Sequence, residues 1–147
     1  MGCGLRLQGG ALPFVIFVDT NVWSIALRRD HGSEHSAVKR LIAALNAGEQ
    51  ILTTGIVLQE LLQGFNGPNA KKKILADFAA LPLITPQRVD HIDAADLRNT
   101  CRRSGVQIGT IDALIAQLCI RHGLMLLTDD QDFTRIKKYA PLRVWQP

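Results

Sequence analysis

Hydrophobic positions along the chain fall into two alternating patterns. Unbroken apolar runs stand at Phe14–Val18, Ile51-Leu52, Leu83-Ile84 and Leu124–Leu127, with a last extended segment at Leu142–Trp145. Runs of four to five apolar residues bounded by polar ones suit strands buried on both faces. Between them, apolar residues recur at helical spacing. A helix is expected from Asn21, with Thr20 as its cap, broken by Arg28 to Gly32. Ser33 is placed to cap a second helix through Ala47, with Val38, Leu41, Ile42 and Leu45 on its stripe and Gly48 stopping it. Further helices are expected at Ile56–Phe65, from Lys71 (with Ile74, Leu75 and Phe78), at Val89–Arg103, Thr110–His122 and Phe133–Tyr139. Strands alternating with helices predict an α/β fold, a three-layer α/β/α sandwich with a mostly parallel central sheet.

Composition narrows this. The chain has 147 residues, 47% hydrophobic and 20% charged, which excludes a disordered chain and fits one domain with a real core. That domain is expected at residues 13–147, after a Gly-rich stretch at 1–12 that reads as a flexible leader or a start codon placed too early. No segment is long enough to span a membrane, and Pro13 and Asp19 interrupt the apolar stretch near the N-terminus, so no signal peptide is assigned. Cys3, Cys101 and Cys119 are odd in number, scattered and without a CxxC pair; they read as reduced thiols of a cytoplasmic protein. His31, His35, His91 and His122 match no zinc spacing and read as surface residues. The net charge of +4, with acids concentrated at strand ends and helix starts, suits an acidic site that must still attract a polyanion.

The candidate chemistry lies in those acids. Asp19 follows the first apolar run, and Asp129-Asp130 follow the run ending at Thr128. In parallel α/β sheets ligands bind beyond the carboxyl ends of the strands. Each acid also has an ordinary reading. Asp19 suits a helix cap, and Asp129, Asp130 and Asp132 a solvated turn. Glu60 borders an apolar stripe and suits a snorkelling edge or an arginine pair. Asp112 opens a helix that is apolar nearly all round, where the dipole favours an acid without any function. Taken together, carboxylates from four elements with no thiol or imidazole suit a hard cation, Mg²⁺ or Mn²⁺.

These segments resemble the PIN-domain nucleases, and within them the VapC-type ribonuclease toxins of toxin–antitoxin pairs. The resemblance rests on Val18-Asp19-Thr20-Asn21-Val22, on Leu58-Gln59-Glu60-Leu61, on Thr110 to Ala116 and on Leu127-Thr128-Asp129-Asp130-Gln131-Asp132-Phe133. Each motif is weak alone; four in order, across Phe14 to Trp145, are specific. The resemblance implies an α/β/α sandwich that dimerises and cuts RNA with Mg²⁺ or Mn²⁺. It maps the acidic quartet onto Asp19, Glu60, Asp112 and Asp130, with Asp129 and Asp132 as accessories, and puts a hydroxyl at Thr110 beside the site. Asp19, Asp112 and Asp130 are the expected metal ligands, and Glu60 a ligand or an orienter of the attacking water. It also implies a cognate antitoxin bound near the active-site groove.

Lys71–Lys73, Arg102-Arg103 and Lys137-Lys138 are candidate phosphate contacts, or solvated helix surface. Two other functions compete with nuclease: a PIN-like module that binds RNA or protein without cutting, which loss of an acid would favour, and a phosphotransfer domain with Asp19 as nucleophile. The latter wants a DxD or lysine partner that the sequence does not supply at Asp19.

Overall fold

The computed structural model describes residues 14–28 and 34–147. The expected alternation is present. Five strands, β1 (Ile16–Val18), β2 (Ile51–Thr54), β3 (Leu83–Ile84), β4 (Met125–Leu127) and β5 (Arg143–Val144), form one sheet in the order β3-β2-β1-β4-β5. Every pairing is parallel. Seven helices flank it among the described residues: α1 (Thr20–Leu27), α2 (Ser36–Ala47), α3 (Gly55–Gly64), α4 (Pro68–Phe78), α5 (Arg88–Arg103), α6 (Thr110–His122) and α7 (Gln131–Ile136). β1 and β4 lie at the centre, and their Phe17, Val18, Leu126 and Leu127 are fully buried, as a sheet covered on both faces requires.

Several boundaries differ from the sequence expectation, each for a local reason. β1 begins at Ile16, because pairing with β2 and β4 starts there. Phe14 lies outside it, half exposed, with the Arg143 guanidinium 4.5 Å above its ring. Asp19, not Thr20, caps α1, since its carboxylate accepts the Thr20 N–H at 2.8 Å. The cap of α2 is His35, whose Nδ1 accepts the Ala37 N–H at 3.2 Å. Ser33, proposed for that role, lies outside the described residues, as do the 1–12 leader, Cys3 and His31. Gly48 does stop α2, in the left-handed conformation. Pro68 opens α4 three residues before Lys71, its fixed φ suiting the first helical turn. On α2 and α4, Val38, Leu41, Ile74 and Phe78 are buried, but Ile42, Leu45 and Leu75 face outward.

The helix α6 is not buried all round. Ala113, Ile115, Ala116, Leu118 and Cys119 point into the core, while Ile111 is exposed. Its far end is anchored by an ion pair that the sequence reading missed. Asp90, fully buried in the first turn of α5, accepts from Arg121 Nε at 2.6 Å and Nη2 at 3.1 Å. The same carboxylate takes the Gln87 N–H in a capping box. Burial would push the Asp90 carboxyl up, but Arg121 and the Gln87 N–H outweigh it and hold it below the ordinary range. Cys101 and Cys119 are free and buried.

Candidate active site

The strand order creates the site. The chain leaves β1 towards β2 and β3 on one side, then crosses back through α5 and α6 to place β4 on the other. Beyond the carboxyl ends of β1 and β4 lies the crevice that such a reversal opens. In register Val18 stands beside Leu127, and the Asp19 N–H continues the ladder to the Leu127 carbonyl at 2.9 Å. Asp19 and Thr128, 109 positions apart in sequence, therefore become neighbours: the Thr128 hydroxyl donates to Asp19 Oδ2 at 2.8 Å.

A cleft of about 490 Å³ opens here, and Asp19, Glu60, Asp112 and Asp130 all line it. Each comes from a different element. Asp19 caps α1 and is only 6% exposed. Glu60, midway along α3, accepts the Thr20 hydroxyl at 2.8 Å on Oε1, so its partner is a threonine rather than the arginine considered from sequence. Asp112 lies in the first turn of α6. Asp130 caps α7, accepting the Asp132 N–H at 2.9 Å on Oδ1, and its own N–H donates to Thr128 Oγ1 at 3.0 Å.

The two neighbouring acids separate. Asp129 turns away from the cleft: its N–H donates to Asn21 Oδ1 at 3.3 Å and its carboxylate lies 3.1 Å from His35 Nε2. His35 is thus a cap and an acid partner rather than a free surface residue. Asp132 turns inward, and one oxygen each of Asp112, Asp130 and Asp132 lie within 4.8 Å of one another. Asp19 stands outside that tight trio but on the same cleft. Thr110 is exposed and lines a neighbouring apolar groove with Ile56, Ile111 and Leu114 instead of the acidic cleft.

Electrostatics mark the site. Burial pushes the Asp19 carboxyl up to about 6 against the Thr128 and Thr20 hydrogen bonds, with Asp130 and Glu60 adding to the rise. Asp112 also rises to about 6, first through burial, then through Asp19, Asp130, Asp132 and Glu60. Carboxylates so crowded favour a cation among them. The donor set, all carboxylate oxygen with no thiol or imidazole, fits a hard divalent ion better than zinc.

Of the wall that α1 and its cap supply, the sequence singles out Thr20 and Asn21 beside Asp19, as short polar side chains for water or phosphate oxygens, but Ser24, Ile25 and Arg28 were passed over. Thr20, Ser24 and Arg28 recur every four residues, with Asn21 and Ile25 beside them, and all five line the cleft. Val22 and Trp23, on the opposite face, are buried. That polar stripe at helical spacing was the available signal.

Known proteins share this fold. The chain is 29% identical to ribonuclease VapC11 of Mycobacterium tuberculosis over 131 residues, 88% of this chain and 96% of that one. Its fold is similar to VapBC2 from Rickettsia felis, solved bound to a promoter DNA fragment (TM-score 0.70, 23% identity, 89% of this chain and 97% of that one). It is also similar to Mycobacterium tuberculosis VapC20, described as a sarcin-ricin loop cleaving toxin (TM-score 0.62, 21% identity, 81% and 92% covered). The sequence profile of the PIN domain matches residues 16–139, most of the chain. The chain therefore belongs to the PIN domain family.

Proposed function

We propose that this protein is a metal-dependent endoribonuclease, the toxin of a toxin–antitoxin pair. One observation carries the reading: Asp19, Glu60, Asp112 and Asp130, from four separate elements, line one cleft at the carboxyl edge of the sheet. The VapC relatives and VapBC complexes of like fold support it.

Asp19, Asp112 and Asp130 would hold Mg²⁺, or Mn²⁺ in its place, and Asp132 stands with Asp112 and Asp130 in the acidic cluster. When bound, such an ion would supply an acidified water and offset charge on the phosphate oxygens. Asp19 is fixed for this task by donors on both oxygens, Thr20 N–H and the Thr128 hydroxyl. Glu60 has Oε1 held by Thr20, which leaves Oε2 to orient the attacking water and take its proton. That water's oxygen bonds to phosphorus, the bond to the leaving ribose oxygen breaks in line, and the leaving oxygen is protonated from solvent in the open cleft.

On this reading the partners are an RNA substrate and a cognate antitoxin, and the toxin is a homodimer in the cytoplasm. No helix among the described residues is long and apolar enough to cross a membrane.

The test is cleavage of a mixed set of tRNAs and structured RNAs by the purified chain, with Mg²⁺, with EDTA, and as Asp19→Asn. Cutting that requires both the metal and Asp19 is the expected result. Cutting that survives either change overturns the reading.

A further inference from the structure

Of the three basic clusters in the sequence, one contributes to a groove: Lys138 lines it, opposite the turn that follows α5. Helix α5 ends with Arg102 and Arg103, both on its last turn, and the chain then reverses at Gly105, whose φ of 83° is the left-handed conformation that a tight reversal needs. The reversal lays Val106 and Gln107 beside Arg135, Lys138 and Tyr139, at and just beyond the end of α7, and a groove of about 410 Å³ opens between them. Tyr139 is 39% exposed, a large aromatic face on an otherwise basic wall.

An ion pair ties this groove to the acidic cluster. Arg135 Nη1 donates to Asp132 Oδ1 at 3.1 Å, and Asp132 is the acid that sits with Asp112 and Asp130. Helix α7 thus carries an acidic start at the cleft and a basic end at the groove. The Lys71–Lys73 cluster opens α4 and does not line this groove.

We infer that the groove between the end of α5 and the end of α7 is the track for single-stranded RNA beside the cleavage site, with Arg135 and Lys138 on phosphates and Tyr139 under a base. This deepens the nuclease reading and rests on it. The combination is what a flexible strand recognises: cations for its backbone and an exposed ring that stacks on any base. A buried double helix offers no free base faces, so the groove selects unpaired loops over duplex. An acidic protein segment would use the cations but would gain nothing specific from the ring.

The experiment uses the full chain in EDTA, so that binding is read without cutting. A fluorescein-labelled single-stranded RNA of mixed sequence is titrated by anisotropy across salt concentrations, and the same variants are assayed for cleavage with Mg²⁺. Tyr139→Ala is expected to weaken RNA binding about tenfold, with Tyr139→Phe restoring it. Lys138→Ala is expected to reduce the slope of log affinity against log salt by about 0.7, the value for one phosphate contact on a single strand. In cleavage both Ala variants raise KM more than they lower kcat. Unchanged melting temperatures confirm that the surface changes leave the fold alone. Wild-type cutting with unchanged affinity, salt slope and KM in the variants overturns the groove and leaves the nuclease standing. Loss of binding to a polyglutamate peptide with RNA affinity intact overturns it in favour of a protein partner. A wild-type chain that neither binds nor cuts RNA overturns both.

Discussion

Thr128 and Asp19 close the two central strands of the sheet with one hydroxyl. Thr128 gives its only hydroxyl proton to Asp19 Oδ2 at 2.8 Å, and Thr128 Oγ1 in turn accepts the Asp130 N–H at 3.0 Å. One side chain thereby orients the Asp19 carboxylate and holds the backbone from which Asp130 projects. Thr128→Val keeps the shape and removes both bonds, leaving the Asp130 N–H without its acceptor. The expected cost is about 1–2 kcal/mol of stability. Cleavage is expected to fall about tenfold or more together with Mn²⁺ affinity, and Thr128→Ser to restore both. Mn²⁺ titration calorimetry beside single-turnover cleavage checks this; a folded Thr128→Val chain with wild-type Mn²⁺ affinity and rate removes the positioning role.

The raised carboxyls fix the sign of a pH effect. Asp19 and Asp112 titrate at about 6 in the fold, whereas an unfolded aspartate titrates near about 3.9. Between those values the folded chain binds more protons than the unfolded one, so these two groups make stability fall as pH rises through the window. A bound cation removes that penalty above it. Mg²⁺ or Mn²⁺ is expected to raise the melting temperature more at pH 7.5 than at pH 5, measured by scanning calorimetry against EDTA controls. Equal stabilisation at both values contradicts the account.

Removing an acid separates function from stability. Asp112→Asn relieves repulsion from Asp19, Asp130, Asp132 and Glu60, the charges that help to raise its carboxyl. In EDTA at pH 7 the variant is expected to be more stable than wild type by on the order of 1 kcal/mol. With Mg²⁺ it is expected to cut no RNA above background. Urea unfolding and a cleavage assay on the same preparation decide it; a less stable variant shows that Asp112 is a structural anchor instead.

The Asp90–Arg121 pair behaves oppositely. Asp90 is fully buried and held below the ordinary range, so its contribution is present above about pH 4 and is lost as pH falls through the folded value. Arg121→Ala strands that charge and is expected to cost about 3 kcal/mol or more, in urea unfolding at pH 7. The double change Asp90→Asn with Arg121→Ala is expected to cost less than Arg121→Ala alone. Cleavage per folded molecule stays near wild type, because neither residue lines the cleft. A double variant as unstable as the single one means that packing of the arginine stem, not charge, was lost.

Much of this was legible in the sequence, and the illegible part has a pattern. Helix Thr110–His122 and strand Ile51–Thr54 stand where periodicity put them, because apolar spacing and Gly123 are local signals. Helix starts were less legible. Asp19 serves as both cap and cleft acid and His35 caps α2 through a ring nitrogen, so propensity pointed one residue late at Thr20 and two early at Ser33. Asp132 was weighed as an accessory, and only the fold brings it within 4.8 Å of Asp112 and Asp130.

Local spacing in the sequence sets the alternation of strands and helices and puts acids at the strand ends. These depend on neighbours a few positions apart, where spacing decides which face is apolar. The tertiary structure decided which acids share a space. That depended on β4 pairing beside β1 after a crossover from β3, and on a turn that rotates Asp130 into the cleft and Asp129 out to His35. It also decided that the turn after α5 lies beside Arg135, Lys138 and Tyr139 to form one groove. Such placements rest on contacts between residues far apart in the chain, which no local spacing encodes.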